Sequence, residues 1–166
     1  LFIILFFLEF SMGEPVNKLS EQQQQLFLDE INALRTEGCQ CGSEYMPPVQ
    51  ALEWDRLLSN SALTHAFHME ENNHFSHRSR EGLTIGERLD KMGYRWHYAG
   101  ENIAMGQSSF EEVLSDWLES TSHCKMLMNP RMRESGLSWY GDYWVQHFGT
   151  LMPENARRTK IYYREG

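Results

Sequence analysis

The sequence predicts an α+β fold, and three observations carry that reading. Helical periodicity opened by capping residues dominates the first half of the chain. A strongly alternating, aromatic hairpin stands late in the chain. Between the strand candidates lies only one helix, which fits an antiparallel arrangement better than regular βαβ repetition.

The first helix opens at Ser20, whose spacing to Gln23 makes a capping box, with Leu19 placed as a staple. Leu26, Phe27, Ile31 and Leu34 follow at helical spacing, and Gly38 stops the run. A loop carrying Cys39, Cys41, Pro47 and Pro48 comes next. From about Asp55 to Asn72 a second helix stacks Leu58, Ala62, Ala66 and Met69 on one stripe. Thr84 and Glu87 cap a short third helix that turns Ile85, Leu89 and Met92 inward and stops at Gly93. Ser109 and Glu112 cap a fourth, with Val113, Leu114, Trp117 and Leu118 on its apolar face. Arg95 to Met105 reads as one strand or two short ones. Ser135 to Tyr140 and Tyr143 to Thr150 flank Gly141-Asp142, a two-residue hairpin signal. After Pro153 the chain is charged and aperiodic, so residues 151–166 are expected to form a surface tail.

At 166 residues the chain has room for one domain with a real core, expected over residues 20–150. Its net charge of −8, with dispersed Lys and Arg, argues against nucleic acid and anionic membrane surfaces as partners. Leu1 to Phe10 is apolar apart from Glu9, too short for a bilayer span but matching the core of a secretory signal. Ser11 and Gly13 supply small residues before a cut near Glu14, so residues 1–13 are expected to be a signal remnant. The mature protein is then expected to be exported, monomeric and without a transmembrane span. Three cysteines suit that compartment as one disulfide plus a free thiol, joining Cys39 or Cys41 to Cys124.

Imidazoles and carboxylates are the groups that bind borderline metals and move protons near neutral pH. His65, His68, His74 and His77 cluster in sequence, but an all-histidine metal site is an uncommon ligand set. The stronger grouping is His77, Glu101 and His123, a His2Glu set that would leave a zinc ion one position for water. The same three residues also suit a hydrogen-bonded polar network that only organises the core. Ser76 and Ser120 lie near them, yet no nucleophile elbow is present. His147 and Gln146 alternate along their strand and face opposite sides.

Four motifs in order carry a resemblance: Phe75-Ser76-His77, Gly100-Glu101-Asn102-Ile103, the run from Trp117 to His123, and Tyr143-Trp144-Val145-Gln146-His147-Phe148-Gly149. From Leu26 to Thr150 the chain resembles CAP domains, the cysteine-rich secretory, antigen 5 and pathogenesis-related 1 proteins, also called SCP, and most of all their short bacterial branch. The resemblance implies a three-layer α-β-α sandwich around a central antiparallel sheet. It implies a secreted or periplasmic protein whose cleft, lined by two His and two Glu, can hold a divalent metal such as Zn²⁺, Mg²⁺ or Ca²⁺. By motif, His77 takes the place of the first cleft histidine and Glu101 that of the Gly-Glu-Asn carboxylate. Where animal and plant members carry a second Glu and a second His, this chain has Ser120 and Tyr143; the bacterial pattern places its histidine at His123. The resemblance also implies a Cys41–Cys124 disulfide with Cys39 free. The expected function is binding of a lipid, glycan or peptide in the His/Glu cleft, and the alternative is a metal-dependent hydrolase.

Overall fold

The computed structural model describes residues 19–154 and 161–164, so the expected signal segment lies outside the described residues. In chain order the elements are α1 (Glu21–Glu37), β1 (Cys39–Cys41), β2 (Glu44–Met46), β3 (Glu53–Trp54), α2 (Arg56–Asn72) and α3 (Ile85–Met92). They continue with β4 (Trp96–Met105), α4 (Phe110–Glu119), α5 (Thr121–Leu127), β5 (Glu134–Tyr140), β6 (Tyr143–Leu151) and β7 (Ile161–Arg164). The helix starts follow the capping chemistry. Ser20 and Thr84 form complete capping boxes with Gln23 and Glu87. Asp55 and Ser109 accept from the backbone N–H of Leu58 and Glu112.

The main sheet has the order β3-β5-β6-β4-β7. Its centre, β5-β6-β4, is antiparallel, while the short strands β3 and β7 pair in parallel at the edges. On one face α2, through Leu58, Ala62, Ala66 and Met69, and α3, through Ile85 and Leu89, pack onto Ala99, Ile103, Tyr143 and Val145. Gly136 permits this approach, because a Cβ there would stand 2.1 Å from the backbone nitrogen of Ser59 on α2. On the other face α1, α4 and α5 bury Phe27, Ile31, Phe110, Trp117, Met126 and Leu127 against Leu137, Trp144 and Phe148. The result is the three-layer α-β-α sandwich.

Three local features depart from the sequence reading. The cysteine loop is a small antiparallel hairpin, β1–β2, outside the main sheet. Gly42 turns it at φ 61°, where a side chain would also strike Thr121 Oγ1 on α5. The run from Trp117 to His123 crosses from the fourth helix into a further one, α5, which holds His123. The segment expected as a surface tail is corrected in part: β6 extends to Leu151, and Ile161–Arg164 pairs with Tyr98–Glu101 as an edge strand. An edge strand needs only backbone pairing and aromatic or β-branched residues, so a four-residue run escapes a search for periodicity.

Candidate functional site: a buried glutamate and its imidazoles

Glu101 lies on β4 directly opposite His147 on β6, and His147 lies opposite Gly136 on β5. The pleat turns Glu101, and with it Ala99 and Ile103, toward the α2–α3 layer. Its side chain is only 1% exposed. Such a carboxylate must be neutral or fully compensated, and this one is compensated. Oε1 accepts from His77 Nδ1 at 2.8 Å, and Oε2 from His147 Nε2 at 2.8 Å and from Arg88 Nη2. Arg88, itself buried on α3, also donates to the carbonyls of His77 at 2.9 Å and Leu83 at 3.0 Å. It therefore ties the loop bearing His77 to the glutamate.

These contacts set the charges. Burial on its own would raise the Glu101 pKa. The Arg88 guanidinium and the hydrogen bonds from His147 and His77 outweigh it and hold the carboxyl well below the usual carboxylate range. Burial pushes His147 down, so this ring donates as a neutral imidazole. His65, on α2, is fully buried, and burial pushes it down to about 3. Its Nε2 comes within 3.8 Å of Glu101 Oε2 but donates to the Ser76 carbonyl at 2.9 Å, so the approach to Glu101 is not an ion pair. That bond fixes the tautomer with the proton on Nε2 and leaves Nδ1 a buried acceptor.

The predicted residues are placed as follows. His77 and Glu101 touch, and the His77 side chain is 16% exposed, which leaves its Nε2 as the free end of the pair. His123 approaches from α5: its carbonyl accepts from Asn102 Nδ2 at 3.2 Å, and its ring lies within electrostatic reach of His77. Burial first, then the electrostatic influence of the neighbouring His77, lowers the His123 pKa. Ser120 sits at the α4–α5 junction, with its hydroxyl 3.3 Å from that of Ser122. Tyr143 is buried among α2 residues, and its hydroxyl donates to Asn73 Oδ1 at 3.3 Å. Of the four early histidines, His65 is buried while His68 and His74 are exposed, so they do not form one site.

Sequence reasoning missed Arg88 and did not connect His147 and His65 to Glu101. Their pattern was nevertheless visible: His147 lies on the face of its strand opposite to Gln146, and Arg88 and His65 belong to helical stripes that pack on the sheet. A His2Glu metal set fares less well on donor chemistry. Three of the four lone-pair directions of Glu101 are taken by N–H donors, one of them cationic. The ligand atoms of His77, Glu101 and His123 do not all lie within 4.8 Å of one another. Among the described residues only Cys39, Cys41 and Cys124 meet that measure. Glu101 fits a place behind His77 rather than beside it as a ligand.

The Cys41–Cys124 pair forms a disulfide with Cα atoms 5.5 Å apart, joining the β1–β2 hairpin to α5, and Cys39 is the free thiol.

Helix layers on both faces of a mixed sheet, with a charge-compensated glutamate at its centre, define a three-layer sandwich of the SCP class. The chain belongs to the cysteine-rich secretory protein (CAP) family, whose model matches residues 28–148. The uncharacterized protein YkwD of Bacillus subtilis is 36% identical over 105 residues, covering 60% of this chain and 40% of YkwD. The uncharacterized membrane protein YlbC of the same organism is 29% identical over 135 residues, covering 81% of this chain and 36% of YlbC. The chain thus spans about two fifths of the curated relatives it matches. An extracellular SCP-domain protein of Bacillus anthracis superposes with a TM-score of 0.66 at 28% identity, covering 80% of this chain and 44% of that one. An outer surface protein of Borrelia burgdorferi shares the fold with a TM-score of 0.67 at 23% identity, over 84% of this chain and 100% of that one. No helix among the described residues is long and apolar enough to cross a membrane.

Proposed function

We propose that this is an exported CAP-domain protein that binds an envelope ligand at the exposed side of His77 and His123. One observation carries the reading: Glu101 is held anionic inside the sheet and fixes His77 with its proton on Nδ1. Nε2 of His77 is then an oriented polar atom at the exposed end of the pair, and burial lowers the His123 pKa and favours its neutral ring. Ring nitrogens of this kind suit hydroxyl and amide partners, so a glycan or peptide fits better than an unadorned lipid chain. Export is supported by the extracellular and surface relatives and by the disulfide.

Titration of the protein with solubilised cell-wall glycopeptide fragments tests this. Saturable binding should be lost in His77→Ala and weakened at least about tenfold, roughly 1.4 kcal/mol, in His123→Ala. Unchanged affinity in both variants would refute the reading.

A second reading keeps metal chemistry. A carboxylate behind an imidazole is the arrangement that orients metal-ligating histidines. His77 and His123 would hold the cation with Glu101 as the orienting group, and the metal would supply Lewis acidity for hydrolysis. Elemental analysis of protein loaded with zinc and then desalted tests it: less than one ion per chain, or equal retention by His123→Ala, eliminates that reading.

A further inference from the structure

The three cysteines form a cluster that the Glu101 site does not use. The period-two geometry of β1 turns Cys39 and Cys41 to the same side, and α5 brings Cys124 against both. Cys39 Sγ lies 3.9 Å from Cys41 Sγ and 3.8 Å from Cys124 Sγ. Three thiolates around one ion at the metal–sulfur distance of about 2.3 Å stand about 3.8–4.0 Å from one another. Two of the three separations already have that value.

Cys39 is nearly equidistant from the two bonded sulfurs, so it sits beside the disulfide. A thiolate attacking a disulfide must approach along the axis of the bond, and this placement therefore suits a shared ligand better than thiol–disulfide exchange. Cys41, Cys124 and Met128 are fully buried, and Met46, Val49 and Leu118 complete an apolar shell. No fourth His, Cys, Asp or Glu joins the sulfur group among the described residues. A zinc ion would lack its fourth ligand here, whereas copper(I) accepts soft sulfur donors, with thioethers nearby.

We propose that the reduced protein binds one copper(I) ion through Cys39, Cys41 and Cys124, and that the Cys41–Cys124 disulfide is the oxidised, metal-free state of this site. Reduction requires an external dithiol. It delivers two electrons and two protons to the Cys41–Cys124 bond and is itself converted to a disulfide. Copper(I) then replaces thiol protons, which pass to solvent.

The test uses the full chain, reduced anaerobically with a dithiol and desalted, then titrated with acetonitrile-stabilised copper(I) against a chromophoric copper(I) chelator. The proposal predicts uptake of one ion per chain, a near-ultraviolet thiolate-to-copper absorption, and a rise in the Tm of the reduced protein with copper(I). Cys39→Ser retains both disulfide cysteines and should fold when oxidised. Once reduced, it should bind copper(I) more weakly by more than the roughly tenfold cost of losing an outer-shell partner. The oxidised wild type should bind none. Absence of uptake by the reduced wild type, no rise in its Tm, or equal affinity in Cys39→Ser would overturn the proposal. So would peptide mapping that finds Cys39 disulfide-bonded in the oxidised protein.

Discussion

The two faces of the central sheet are equally dry and differently built. Toward α1, α4 and α5 the sheet presents Leu137, Trp144 and Phe148 to a large apolar cluster. The buried arginine of that layer, Arg35, has no carboxylate partner among the described residues. It donates to the carbonyls of Gln50, Leu127, Asn129 and Met132 and pins the end of α5. Toward α2 and α3 the same strands present Glu101 and His147, and the buried arginine there is paired with the acid. The first face gains its stability from area removed from water. The second spends desolvation to hold an anion in place, which by itself is weak evidence of stability and better evidence of a task.

The contrast is sharpest under truncation. Phe148→Ala should cost about 4 kcal/mol by removing a fully buried ring from the apolar cluster, with a loss that barely changes with pH. Urea unfolding at neutral and mildly acid pH measures both parts. A loss that shrank markedly in acid would mean that the two faces are not independent.

Arg88→Met comes next, at about 3 kcal/mol near pH 7, because it leaves the Glu101 carboxylate buried without its cation. Here the sign with pH differs. Deprived of the guanidinium, Glu101 is pushed up by burial and takes a proton as the pH falls, so the deficit relative to wild type should narrow in acid. A deficit that stayed constant from pH 7 to 5 would show that Arg88 acts mainly through packing or through its carbonyl contacts.

The asymmetry between the faces also explains what could be read in advance. Helix starts at Ser20, Thr84 and Ser109 were legible because capping is local chemistry. The β5–β6 hairpin was legible because Gly141-Asp142 and the period-two pattern agree. His77 and Glu101 stood out as members of motifs, but motifs do not report which face a residue takes or what compensates it. His65 reads in the sequence as one of four clustered histidines, and only the packing of α2 on the sheet shows it to be central. Arg88 belongs to no motif in the sequence, and its partner Glu101 lies 13 residues away on another element. Both are tertiary facts, fixed by which helix covers which strand. The β3 and β7 edges were illegible because two to four residues carry too little pattern.

The smallest of these effects at any one pH is the acid sensitivity of the wild type, and it separates the faces without a mutation. His65 is neutral when folded, with its pKa at about 3, against about 6.5 when unfolded. Between those values the unfolded chain binds the additional proton, so stability rises with pH there and is lost as pH falls below about 6.5. His147 is lowered as well and adds to the same loss. Glu101 is also depressed on folding, so its contribution is present above the ordinary carboxylate range and fades as pH falls through and below it. Each group can contribute a slope of at most about 1.4 kcal/mol per pH unit. Denaturation midpoints measured from pH 7 to 5 should therefore fall steadily in the wild type, while His65→Gln should flatten the curve by one such slope. An unchanged slope in His65→Gln would mean that this imidazole is already charged in the folded protein. The polar face would then hold an ion pair at His65 and Glu101, where the contacts place a neutral ring bonded to the Ser76 carbonyl.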